Sequence, residues 1–172
     1  GRRLPQQTPE GYSKKNLHAW VDRSRKNLNT DTIDLLQLHC PHTEVFYRPE
    51  VFGILDDMVK DGKLRHYGVS VEKVEEALKA IEFPNVQSVQ IIFNMFRLKP
   101  ADVFFAAAQA KQVGILARVP LASGFLSGKY KPGTTFAAND VRATFSQDRL
   151  KTQLAEVEVL QRTEVPPGVP MA

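Results

Sequence analysis

The chain has 172 residues, 42% hydrophobic and 24% charged, with a formal net charge of +4. That is enough chain for one domain with a real core, and the mean hydropathy of -0.28 is that of an ordinary globular protein. No run approaches the roughly 18 apolar residues of a membrane span, no signal peptide is visible, and the scattered positive charge reads as a solvated surface rather than a nucleic-acid footprint.

The densest basic spots are Arg2-Arg3, Lys14-Lys15 and Arg23/Arg25/Lys26, and a basic rim that attracts anionic small ligands is the other reading they allow. The single cysteine, Cys40, permits no internal disulfide, which points to a reducing, cytoplasmic setting. The first residue is Gly1 rather than methionine, and the chain stops in VPPGVPMA, a Pro-Pro-Gly loop followed by what reads as a helix starting near Val169 with Pro170 in its first turn. Both ends suggest a piece cut from something longer.

In chain order, the first helix is expected to start near Ser13, a good N-cap, with Leu17, Trp20, Val21, Ser24 and Leu28 on one face. TIDLLQLH follows as a strand that reads as fully buried yet ends on His39 and Cys40. RPEVFGILDDMVKDG is a helix with Pro49 at its start, Gly62 at its end and a stripe of Phe52, Leu55, Met58 and Val59. KLRHYGVS is a second strand, and EKVEEALKAIE a helix burying Val74, Leu78 and Ile81. SVQIIFN is a third strand, and KPADVFFAAAQAKQVG one helix between Pro100 and Gly114. GILARVP is a fourth strand, and after an irregular stretch a last amphipathic helix carries Leu150, Leu154, Val157 and Leu160.

Strict alternation of apolar strands with helices implies a parallel sheet joined by crossover helices. Neither G-x-G-x-x-G nor G-x-x-x-x-G-K-[ST] occurs, so a nucleotide-binding doubly wound sheet lacks its fingerprint. Four strands cannot close a (β/α)8 barrel, which takes roughly 250 residues. An open doubly wound sheet of four or five strands is therefore possible, but a piece of a barrel fits the truncated ends better, and the expected fold class is α/β, a truncated portion of a TIM (β/α)8 barrel with about four parallel strands and flanking helices. Two open strand edges and a bare interior face would leave it prone to association.

In parallel α/β folds chemistry sits at the carboxyl ends of the strands. Those ends carry His39, Ser70, Gln90 with Asn94, and Arg118, the last followed by VPLASGFLSGKY. Polar groups converging on one rim suggest a shared ligand, with mutual hydrogen bonding as the alternative. His39 can donate from one ring nitrogen and accept at the other, which suits it to orient a carbonyl oxygen. It has no Ser or Asp pattern of a triad, and His39, Cys40 and His42 lack the spacing of a zinc site.

The segments NLNTDTIDLLQLHCP, VKDGKLRHYGVS, VQIIFN and VPLASGFLSGKY, in this order, resemble the aldo-keto reductase superfamily. The resemblance is clearest over 13–172 and implies that 1–172 is a partial barrel domain of that family, most similar to soluble bacterial members in its Pro120–Gly124 stretch. It implies an oxidoreductase that moves a hydride between NADPH/NADP+ and an aldehyde or ketone. Its partners would be a small-molecule carbonyl substrate, not nucleic acid or a membrane. Position by position, His39 matches the histidine of the catalytic tetrad. Ser70 and Gln90 match residues that hold the nicotinamide carboxamide. Pro120, Leu121, Ala122 and Ser123 match the loop along the pyrophosphate, with Gly124 and Gly128 allowing its path and Lys129 read as a surface residue.

Two positions depart from the family. Val71 stands where asparagine is frequent, and Arg118 where an aromatic ring stacks on the nicotinamide. A guanidinium is planar and can also stack, and its charge is expected to favour the neutral reduced ring over the cationic oxidised one. The tetrad's Tyr, Lys and Asp have no match; Tyr12, Lys14 and Lys15 fall in or beside a helix. Two other readings therefore stand beside the enzyme: a non-catalytic cofactor-binding or partner-binding relative, and an inactive fragment. The CPHTEVFYRPE loop, with Phe46 and Tyr47, is expected to wall the substrate.

Overall fold

The computed structural model describes residues 7–171. The chain forms two compact units, one reaching to Arg118 and one from Val119 onward.

The first unit is built on the parallel sheet the alternation predicts. Its strands are β1 (Ile33–His39), β2 (Leu64–Ser70), β3 (Val86–Ile92) and β4 (Gly114–Arg118), in sheet order β1-β2-β3-β4. The connecting helices are α2 (Pro49–Lys60), α3 (Val74–Ala80), and the pair α4 (Lys99–Val103) and α5 (Phe105–Ala110); α1 (Lys14–Leu28) precedes the sheet. Ser13 caps α1 by accepting from the Asn16 amide, and Pro49 opens α2. One expected helix is two. The turn at Phe104 breaks it where two successive rings seat differently: Phe104 is fully buried in the core, and Phe105 packs edge-on against Phe93 at 4.8 Å.

The core lies between the helices and one sheet face. Leu38, Tyr67, Val69, Val89 and Ile91 meet Leu17, Val21, Phe52, Leu55, Met58, Ala77, Ala80 and Ala108. Phe52 stacks on Phe83 at 3.8 Å and tilts against Tyr67. Residues alternate along a strand, so the helix-facing set leaves the opposite face to Leu35, Gln37 and His39 of β1 and their registered partners His66, Gly68 and Ser70 of β2. The strand read as fully buried buries only Ile33 and Leu38; Leu35 is 39% exposed and His39 is exposed.

The second unit holds irregular chain and α6 (Gln147–Thr163), capped by Ser146 and anchored by Leu150, Leu154 and Val157. Near the end of the described residues Pro166 to Gly168 turn, and the Val169 amide bonds the Pro166 carbonyl. Among the described residues no helix is long and apolar enough to cross a membrane.

Candidate functional site

Register delivers three of the expected site residues to one row. His39 lies beside Ser70, and Ser70 beside Gln90, on the face opposite the helices. The Ser70 hydroxyl donates to Gln90 Oε1 at 3.2 Å. Ser70, in the middle of the row, is buried, Gln90 on one side is half-buried and His39 on the other is exposed. An open cleft of about 380 Å³ is lined by His39, Ser70 and Gln90 together with Gln37, Leu35 and Leu36. Its size falls in the range of small-molecule sites. Just below, Gln37 Nε2 donates to Ser88 Oγ at 3.2 Å.

Arg118, at the end of β4, reaches across the carboxyl end of the sheet. Its Nη1 donates to Cys40 Sγ at 3.2 Å, and its Nη2 to the Val71 carbonyl at 3.3 Å. The same Nη2 is 3.0 Å from Glu72 Oε1. Burial works against the guanidinium's charge, but the bonds to Glu72 and Cys40 more than offset it, and its pKa lies above the ordinary arginine value. Cys40 follows His39 directly, has φ 45, and is buried. Its amide bonds the Ser70 carbonyl at 2.9 Å, and its sulfur lies 3.4 Å from Ser70 Oγ. Val71 is fully buried, so the residue standing at the asparagine position contributes backbone, not side chain, to the rim.

The loop expected to lie along a pyrophosphate belongs to the second unit. Pro120 and Leu121 are exposed and Ala122 is buried. Ala122 (φ 48), Ser123 (φ 61) and Gly124 (φ 92) form a left-handed run. Successive left-handed residues curve the backbone tightly, and two of its amides are already engaged, Ala122 with Val119 O and Gly124 with Leu121 O. Arg142 Nη1 reaches Ser123 O at 3.5 Å. The Lys129 side chain lies over the Tyr130 ring, as a surface cation does.

Two sequence expectations shift. Asn94 is not a rim group: β3 ends at Ile92, and the Asn94 carboxamide oxygen accepts from the Phe96 amide to hold a turn. Phe46 is fully buried in the core and cannot wall a substrate; Tyr47 is 63% exposed, with Lys79 Nζ above its ring. His42 Nδ1 accepts from the Glu44 amide in a turn, and among the described residues no three His, Cys, Asp or Glu side chains gather as a metal site. Sequence reading missed Gln37 and Glu72. Gln37 lies two residues before His39, so strand alternation alone could have found it; nothing local marks Glu72.

Comparison with known proteins finds relatives for the chain and its fold. The family model described as "Aldo/keto reductase family" matches residues 3–164. An uncharacterized oxidoreductase of Schizosaccharomyces pombe is 35% identical over 156 residues, covering 91% of this chain and 48% of that protein. An aldo-keto reductase of the same yeast whose name carries NADP(+) is 27% identical, over 84% of this chain and 43% of its own length. Among solved structures, a glycerol dehydrogenase from Gluconobacter oxydans superposes with a TM-score of 0.73 at 24% identity, over 93% of this chain and 50% of that one. The chain thus spans about half the length of the relatives it matches.

Proposed function

The chain belongs to the aldo/keto reductase family, and from that premise we propose that it carries the strand-end rim of an NADP(H)-dependent oxidoreductase acting on an aldehyde or ketone. The observation that carries this reading is the hydrogen-bonded Ser70–Gln90 pair standing in register beside the exposed His39.

The donor set suits a nicotinamide carboxamide, which offers one acceptor oxygen and two N–H donors. With its hydroxyl proton given to Gln90 Oε1, Ser70 keeps lone pairs that accept an amide N–H, and Gln90 keeps its –NH2 to donate to a carbonyl. Bound there, the cofactor would supply the hydride. His39, neutral or charged, has a ring N–H to donate to a substrate carbonyl oxygen, holding it and favouring charge build-up on it. The Leu121–Ser123 loop, with Pro120 ahead of it, is the proposed pyrophosphate segment. Arg118 is the proposed planar cation at the nicotinamide edge, with Glu72 beside it offsetting part of its charge. The phosphorylated form of the cofactor is supported by the chain's net positive charge and by the relative named with NADP(+). The one cysteine, a buried free thiol, suits a reducing cytoplasm.

The test is NADPH binding and NADPH oxidation with a panel of aldehydes and ketones, on the full-length protein that carries this chain. Ser70→Ala and Gln90→Ala are each expected to weaken NADPH binding about tenfold, roughly 1.4 kcal/mol for a lost bond to a polar group. His39→Ala is expected to lower kcat and leave NADPH affinity within threefold of wild type. Wild-type affinity in both Ser70 and Gln90 variants would overturn the assignment.

A further inference from the structure

Two local costs meet at the carboxyl end of this sheet. Cys40 is a non-glycine residue in the left-handed region, at φ 45, a conformation that L side chains adopt only when their surroundings hold them there. Arg118 Nε is buried with no hydrogen-bond partner among the described residues, and a buried unsatisfied donor is destabilising. The two residues touch: Arg118 Nη1 donates to Cys40 Sγ at 3.2 Å. Strain and an orphaned donor in one contact mark a geometry that the surroundings enforce, and the residue just before Cys40 is His39.

We propose that Arg118 is a positioning residue that acts on His39 through Cys40. The guanidinium joins the ends of three strands. It holds Cys40 after β1, and Val71 O and Glu72 after β2, from its own place at the end of β4. The Glu72 carboxylate and the Val71 carbonyl fix the far side of the plane, so the side that meets the sulfur has one direction. Cys40 is held at three points: its amide by Ser70 O, its sulfur by Arg118 and by Ser70 Oγ. A left-handed residue turns the chain sharply, so its torsion sets how the preceding residue leaves the strand. Releasing Cys40 to the ordinary β or α region would redirect the backbone at His39 and carry the imidazole with it. The same hydroxyl that bonds Gln90 touches the Cys40 sulfur, so the arrangement also couples the proposed carbonyl-orienting residue to the proposed carboxamide pair.

This inference rests on the functional reading above only for its kinetic consequence; the geometric part stands apart from it. The test therefore has two readouts in the full-length protein. The first is NMR of the imidazole resonances, with His66 on the same sheet face as the internal control. Arg118→Met and Cys40→Ala are each expected to shift the His39 resonances and leave those of His66 in place, and Arg118→Lys to restore most of the shift by returning a donor. The second is a KM-against-kcat split in carbonyl reduction: kcat is expected to fall at least tenfold in Cys40→Ala, whose side chain lies outside the proposed cofactor contacts, with NADPH affinity changed less than threefold. Unmoved His39 resonances in both variants overturn the proposal, as does a loss of rate in Cys40→Ala that follows weakened NADPH binding alone. Should the wild-type protein reduce no carbonyl, the functional reading fails, and the His39 resonances still decide whether Arg118 sets its position.

Discussion

Gln37 Nε2 donates to Ser88 Oγ at 3.2 Å across the strand that lies between them, and the residue they pass over is Gly68. A Cβ on Gly68 would overlap both Ser88 Oγ and the Ser88 carbonyl oxygen. The glycine is therefore required by close approach, since its φ is not in the left-handed region. Gly68→Ala is expected to destabilise the first unit by about 3 kcal/mol, the upper range for overpacking a tight interior site. Urea unfolding checks it; a midpoint within error of wild type would show that β2 and β3 can separate freely there.

Directly after Ser70 the chain is tied down by Glu76, a carboxylate only 6% exposed. It accepts from the Thr43 hydroxyl at 2.7 Å and from the Glu72 and Lys73 amides at 3.0 and 3.2 Å. The last of these gives α3 an N-terminal acceptor from its own first turn. Glu76→Ala strips three donors of a charged partner and is expected to cost about 2 to 3 kcal/mol. Hydrogen exchange at the Glu72 and Lys73 amides should speed up well beyond the change at β2 amides. Uniform acceleration across the unit would mean that Glu76 supports global packing and not this loop.

The rim was legible in the sequence where it depends on alternation. Four apolar strands broken by capped helices announce a parallel sheet, and in such a sheet His39, Ser70 and Gln90 fall at the same end and, by register, on the same face. Ser13, Pro49 and Ser146 marked helix starts because capping is a local property. What escaped depends on distant chain. Arg118 meets Cys40 across 78 positions, and the left-handed turn at Cys40 carries no glycine or asparagine to announce it. Phe46 looked like a loop aromatic and is core, since a short 3-10 turn over Thr43–Tyr47 swings it inward. The interrupted helix at Phe104 is likewise decided by where two rings pack, not by propensity.

The Tyr67 phenol bears on stability at high pH. It is 1% exposed and donates to Asp56 Oδ1 at 2.7 Å, an oxygen that also accepts from Asn85 Nδ2 at 3.0 Å. Burial first, and then the neighbouring carboxylate, push its pKa well above the ordinary tyrosine value. The unfolded chain therefore loses this proton at about pH 10, while the folded chain keeps it. Fewer protons on the unfolded state mean that stability falls as pH rises past that point. Tyr67→Phe is expected to cost about 1 kcal/mol at neutral pH and to flatten the alkaline decline. An equally steep decline in the variant would assign it to other groups.

The second unit has its own acid-sensitive joint. Asp140 Oδ1 accepts from the Arg142 amide and from Arg142 Nε, each at 2.8 Å, and Oδ2 from Nη2. So anchored, the guanidinium lies over the Tyr130 and Phe136 rings, which pack edge-on against the fully buried Phe125. The Arg142 bonds hold the Asp140 carboxyl down at about 2, below the ordinary carboxylate range of about 3.9. The unfolded chain takes up this proton first as pH falls, so what the pair contributes is complete above about pH 4 and is lost on the way down to about 2. Carboxyl carbon NMR should find the Asp140 midpoint at about 2. Asp140→Asn keeps an acceptor for the Arg142 amide but loses the charge, and should remove the acid step in protection of the 121–130 amides. An Asp140 midpoint near 4 would mean the ion pair does not hold in solution, and the ring stack on Phe125 would then have to stand without it.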